Sequence, residues 1–174
     1  MTVSTEPVVR AASDDDVGAI CRFGVAYVGP HYAPIIGEAA ADGQVRCWWN
    51  ECVVQAAIAE GLVVVAEADG DLVAVGQRGR RGPHHVIYKL YVHPGHRSHG
   101  LGPRLLEALT AQLPADADRL YIEHFVGNER AGAFYEREGF TVESIEPGPA
   151  DNPALRVVWR VRPLSASVTV PGPA

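Results

Sequence analysis

Cysteine is scarce in this chain, and what there is forms no pattern. Cys21, Cys47 and Cys52 are an odd number with no Cys-x-x-Cys pair, which excludes a disulfide framework and points to a reducing compartment, the cytoplasm. All three lie before residue 60, away from the glycine-bearing segments described below, which argues against a cysteine nucleophile. Long apolar runs are also missing. The longest wholly apolar one, Leu62 to Ala66, falls far short of the roughly 20 residues that a spanning helix needs, so no membrane partner is expected. The first ten residues carry no basic stretch followed by an apolar one, so no signal peptide is expected. Basic charge is in deficit, with 15 Lys and Arg against 21 Asp and Glu. A nucleic-acid binder usually carries a basic face, so no nucleic-acid partner is expected either. His93, His96 and His99 recur at three-residue intervals. Pro94 and Gly95 make that stretch irregular and it holds no carboxylate or thiolate, so no metal site is expected.

What remains is an ordinary globular composition, 47% apolar and 21% charged over 174 residues, without a solenoid repeat. The length suits one domain, expected over residues 1–163 with a flexible tail at 164–174.

The most informative stretch is Arg97-Ser98-His99-Gly100-Leu101-Gly102. Before it, Val86 to Val92 is β-branched and aromatic and reads as a strand, which Pro94 ends. After it, Leu101, Leu105, Leu106, Leu109 and Leu113 fall at helical spacing. Strand, glycine loop and helix start together make an anion site: unpaired amides point outward and the macrodipole adds partial positive charge. Gly100 and Gly102 let backbone approach a diphosphate, Pro103 suits the first helical turn, and Arg97 supplies a side-chain charge. No Gly-Lys-Ser/Thr follows and no third glycine is in register, so this is neither a P-loop nor a dinucleotide fingerprint. Taken alone, the stretch is equally compatible with a tight turn that binds nothing.

A second segment runs from Asn128 to Phe140. Asn128 is a good N-cap and Gly139 a good residue after a helix end, so they bracket one helix. Asn128, Ala131 and Tyr135 share a face, with about 10 Å of axis between the first and last. A polar group, a small residue and a phenol make a track for a thin ligand, although Tyr135 by itself reads more readily as a core aromatic.

Around these motifs the pattern predicts a strand at 8–12, a helix capped by Asp14-Asp15-Asp16 through about Tyr27, and a loop marked by Pro30 and Pro34. One helix is expected over much of 45–60, carrying Trp48 and Trp49. A hairpin follows, with strands at 62–67 and 72–78 around Asp69-Gly70-Asp71. Strands at 119–126, 140–145 and 155–162 complete the set.

Both motifs, in this order, resemble the Gcn5-related N-acetyltransferase (GNAT) superfamily. The matching residues are Val92-His93-Pro94, Arg97 to Gly102, Asn128-Glu129-Arg130-Ala131, Phe134-Tyr135 and Gly139-Phe140. The resemblance implies an α/β (α+β) fold, with a mixed, mostly antiparallel sheet of about six to seven strands and about four helices. The co-substrate implied is acetyl-CoA, without a metal. The pyrophosphate would lie on amides of Ser98, His99, Gly100, Leu101 and Gly102, with Pro103 contributing position only. The pantetheine arm would lie along backbone groups of Leu90, Tyr91 and Val92, with a polar contact from Asn128.

The implied reaction is attack of a primary amine, on a small molecule or a protein N-terminus, upon the thioester. An alkylamine is unprotonated in only about one molecule in 2,500 at pH 7, so a base must act, and the departing thiolate benefits from an acid. Tyr135 is the candidate acid. Glu123 is the candidate base, matching a glutamate used by ribosomal-protein N-terminal acetyltransferases of the superfamily; a structural carboxylate paired to an arginine is its other reading. The histone-acetylating members carry a glutamate where this chain has Val86, a departure that leaves His85, Tyr91 or His93 as other relays. Tyr27, His31, Tyr32, Trp48 and Trp49 are candidates for lining the acceptor side. A non-catalytic acyl-CoA-binding module and an unrelated nucleotide-binding domain are the competing functions, and a homodimer is compatible with the fold.

Overall fold

A computed structural model describes residues 6–164, so the expected tail, apart from Leu164, lies outside the described residues. Seven strands form one sheet: β1 (Val8–Ala11), β2 (Val63–Ala68), β3 (Asp71–Arg81), β4 (His84–Val92), β5 (Arg119–Phe125), β6 (Thr141–Glu146) and β7 (Val157–Pro163). Their order is β1-β2-β3-β4-β5-β7-β6, and only β4 and β5 run parallel. The β2–β3 hairpin turns through Asp69 (φ 52°) and Gly70 (φ 85°), as an Asp-Gly pair in a tight hairpin should.

Two helices lie on one face, α5 (Leu101–Ala111) and α6 (Glu129–Arg137). Leu101, Leu105, Leu106 and Leu109 of α5 are buried against Val64, Ile87 and Ile122 of the sheet and Tyr135 of α6. Each such leucine contributes roughly 2 kcal/mol of transfer free energy. Asn128 caps α6, its Oδ1 accepting from Ala131 N at 3.3 Å, and Gly139 follows it at φ 84°; both ends are those the sequence predicts.

The opposite face carries α1 (Val17–Phe23), α2 (Gly29–Ile36), α3 (Glu38–Trp48) and α4 (Glu51–Ala59). Here the structure corrects two expectations. The Pro30–Pro34 stretch is helix rather than loop. A π-helical turn over Gly24–Val28 joins α1 to α2, Pro30 sits in the first turn where its missing N–H is not needed, and Pro34 is on the exposed side. The single helix expected over 45–60 is two. Asn50 caps α4 by accepting from Val53 N at 3.0 Å, and this break turns Trp49 inward to 4% exposure. Its indole lies where a Cβ on Gly24 would be only 2.6 Å away, so that glycine makes room for it.

β4 and β5 pair only at His85↔Leu120, Val86↔Tyr121 and Ile87↔Ile122, while β4 continues to Val92. The cause is a bulge. Pairing with β3 jumps from Gln77↔Lys89 to Arg78↔Ile87, so Tyr88 is an extra residue that bends the strand. The two strands part beyond it.

Candidate active site

A cavity of about 840 Å³ opens where β4 and β5 part. Leu90, Tyr91 and Val92 of β4 form one wall and Glu123 of β5 contributes to another. Its far end is the loop before α5, with Arg97, Ser98, Gly100, Leu101, Gly102 and Pro103 on the lining, and α6 contributes Asn128 and Tyr135. Of the residues that the sequence singles out as catalytic or cofactor-binding, only His99 is off this lining; it is exposed.

The loop is held in a conformation that bares its amides. Ser98 has φ 66° and Gly100, the residue capping α5, has φ 75°; successive positive and negative φ values turn N–H groups to one side and form a concavity suited to an anion. Two roles differ from the sequence expectation. Gly102 gives room to a ring, since a Cβ there would sit 3.1 Å from Phe134; it seats α6 against α5. Arg97 Nε donates to the Val92 carbonyl at 3.0 Å, tying the loop back to β4, so only the rest of its guanidinium is available to a ligand. Arg130, which sequence reasoning missed, joins it on the lining. Burial and then the Arg130 charge loosen Arg97's hold on its proton, and burial followed by Arg97 and Arg130 lowers the His31 pKa. Cations crowded at one end of a cavity favour an anion there.

The other end is aromatic. Tyr32, Trp48 and Trp49 line it, with His31 on the lining between them and the two arginines, whereas Tyr27 packs on Phe23 and His93 outside the cavity. The Tyr32 and Tyr91 hydroxyls meet at 2.5 Å. His85 and His93 are not on the lining, and His93 Nδ1 accepts from Gly95 N at 3.0 Å.

Tyr135 is 7% exposed, and its hydroxyl has no hydrogen-bond partner among the described residues. Burial pushes its phenol well up, so it keeps its proton at neutral pH. Burial also raises the Glu123 carboxyl; Arg81 opposes that rise and Glu146 adds to it. Glu123 forms no ion pair among the described residues. Arg81, the nearest candidate, is bonded instead to Glu146 at 2.9 Å. His124, behind Tyr135 at a ring distance of 6.2 Å, accepts from Arg160 Nε at 3.1 Å and approaches the Phe125 carbonyl at 2.9 Å. Those contacts fix it as a neutral ring, and burial lowers its pKa.

Lys89 was also missed. It is 6% exposed, lines the cavity, donates to Gln77 Oε1 at 2.6 Å and lies 4.9 Å from the centre of the Trp49 ring. The available signal was a single charge inside a strand that otherwise reads as buried. Among the described residues no group of three or more His, Cys, Asp or Glu side chains could hold a metal, and no helix is long and apolar enough to cross a membrane.

The family profile for an acetyltransferase (GNAT) domain matches residues 59–142, which run from the end of α4 through the cavity-forming strands, the loop and both helices α5 and α6. The fold is similar to that of PaiA N-acetyltransferase from Thermoplasma acidophilum in complex with coenzyme A, at 17% identity and TM-score 0.76, covering 92% of this chain and 100% of that one. A Gcn5-related N-acetyltransferase from Rhodopseudomonas palustris is similar at 20% identity and TM-score 0.74, covering 94% and 99%. The ribosomal-protein-S18-alanine N-acetyltransferase from Escherichia coli is similar at 19% identity and TM-score 0.64, covering 97% and 99%. No curated protein sequence matches significantly. The matched segment contains both motifs, and the seven-stranded fold that carries them is similar to that of these acetyltransferases.

Proposed function

We propose that the protein transfers an acetyl group from acetyl-CoA to a primary amine, on a small molecule or a protein N-terminus, by direct attack within a ternary complex. One observation carries this reading. A cavity between two parting parallel strands ends at a loop of bared amides flanked by Arg97 and Arg130. An anionic diphosphate suits that end, and an extended arm suits the unpaired stretch of β4 at Leu90, Tyr91 and Val92.

Within the complex, each group has a role that its surroundings favour. Glu123, half-buried, outside any ion pair and raised in pKa, takes a proton from the incoming ammonium, directly or through water. The amine nitrogen then attacks the thioester carbonyl, and the carbon–sulfur bond breaks as the intermediate collapses. Tyr135, held protonated by burial, gives its proton to the departing thiolate, and the second nitrogen proton, shed as the amide forms, returns to the Tyr135 oxygen through water. Asn128 accepts at Oδ1 from Ala131 N in capping α6, and its side-chain amide, beside His31 and Tyr32, offers a polar contact to the arm. The acceptor enters beside Tyr32, Trp48 and Trp49.

Calorimetry with coenzyme A and acetyl-CoA tests the first half: heat of binding is expected, and its loss in Arg130→Ala combined with Arg97→Ala would tie it to the loop. Tyr135→Phe is expected to lower kcat about 100-fold while leaving coenzyme A affinity in place. Glu123→Gln should lower kcat and remove the acidic limb of the pH profile. Coenzyme A binding without turnover of any amine would instead favour a non-catalytic acyl-CoA-binding module.

A further inference from the structure

Lys89 presents an unusual combination. Lysine is almost never fully buried unless paired, and this one is 6% exposed. The ion pairs among the described residues are Arg10–Asp16, Arg10–Glu67, Arg81–Glu146, Arg104–Glu6 and Arg119–Asp118, and none of them reaches it. Its single hydrogen bond goes to a neutral amide, Gln77 Oε1, at 2.6 Å. An ammonium only donates, so the Gln77 oxygen must face it. That leaves the Gln77 NH2 group and the two remaining Nζ protons as free donors, and both residues line the cavity.

The walls around these donors are aromatic. Lys89 lies over the Trp49 ring at 4.9 Å, and Trp49 meets Tyr91 edge to face at 5.3 Å. Cys21, which acts on Lys89 electrostatically, has its thiol pKa raised by burial. The result is a cluster of donors with one positive charge, in which the Gln77 oxygen is already taken by Lys89. Such a place is costly for the folded protein when empty and strengthens any anion that enters it.

Glu123 stands on a different strand and its surroundings are set by Arg81 and Glu146 rather than by Lys89. The cavity lining therefore carries two separate charges of opposite sign, neither of them in an ion pair among the described residues. A ligand with an amine at one end and an acid at the other complements both.

We propose that the acceptor is an amine that also carries a carboxylate, and that Lys89 Nζ together with the Gln77 amide is the seat of that carboxylate. This rests on the acetyl-transfer reading and narrows its substrate class to amino acids in the broad chemical sense. Burial lowers the Lys89 pKa to about 8, so the group is mostly charged at neutral pH and becomes fully so once an anion arrives.

The test begins with coenzyme A calorimetry on the full chain; absence of heat there overturns the acetyl-transfer reading itself. With binding established, acetyl-CoA turnover is measured on L-α-amino acids and straight-chain ω-amino acids, each beside its own carboxamide. The acids are expected to exceed their amides in kcat/KM by at least about tenfold, a factor within reach of one charge-assisted hydrogen bond. Lys89→Met should collapse that ratio to within about twofold of unity, and Lys89→Arg should restore part of it. If Lys89→Met does not fold, Gln77→Leu should lower the same ratio by removing the second donor. Equal use of acids and amides by the wild type, failure of a coenzyme A-binding protein to turn over any acid of the panel, or a Lys89→Met effect that falls on acids and amides alike would each overturn the proposal.

Discussion

Two buried charges in this fold are treated in opposite ways. Asp16, 8% exposed, accepts from both Arg10 nitrogens at 2.8 Å, from Ser13 N at 2.7 Å and from Ser13 Oγ at 3.2 Å. Arg10 goes on to Glu67 at 3.0 Å, so β1, the turn before α1 and β2 are fastened together by one closed network. Lys89 has a neutral amide and an aromatic face. A charge whose valences are filled from within serves architecture. One left open on a cavity wall weakens the fold and is worth its cost only to a visitor.

The difference can be broken by stability measurements. Lys89 titrates near 8 in the folded chain against an ordinary 10.5, so the unfolded chain binds more protons between those values. Wild-type stability should therefore climb as pH rises from about 8 to 10.5. Lys89→Met should lack that climb and be more stable than wild type at pH 7 by about 3 kcal/mol, read from urea midpoints. A loss of stability at every pH would show that the lysine is satisfied internally after all. Asp16 runs the other way. Arg10 hydrogen bonding above all, with help from Ser13, brings its pKa down to about 2 from 3.8. Its contribution is therefore present above pH 4 and lost as pH falls toward 2. Asp16→Asn should cost about 2 kcal/mol at pH 7 and close to nothing at pH 2. The exposed Glu6–Arg104 pair, with Glu6 84% exposed, sets the scale for a charge that matters to neither role. Glu6→Gln should move the urea midpoint by no more than about 0.5 kcal/mol.

The legible parts of this protein are those whose cause is local. Asn128 and Gly139 bracket α6 because caps act within one turn, and Asp69-Gly70 fixes its hairpin because φ is a property of single residues. The loop before α5 is legible for the same reason, as Gly100 and Pro103 report backbone geometry directly. The break at Trp49 is not legible, because an apolar indole followed by Asn50 reads as continuing amphipathic helix until Gly24 offers it a place to turn inward. Lys89 is hidden by a register event. Strict alternation from Ile87, which faces the leucine core, would put Lys89 on that same side, and only the extra residue at Tyr88 sends it to the other. Arg130 was within reach of sequence reasoning, being inside the matched motif, but its meaning depends on Arg97 reaching the same cavity from the loop before α5.

That supernumerary tyrosine has a further consequence. Because Ile87 and Leu90 point to one side and Lys89 and Tyr91 to the other, excising Tyr88 would leave every neighbour in its own layer while straightening the strand. The parallel ladder could then zip onward past Ile122, knitting shut the gap on which all the chemistry depends. Deletion of this one residue should yield a sturdier and hollowless domain, blind to coenzyme A: the reactive interior exists because the sheet is kept one stitch short of healing.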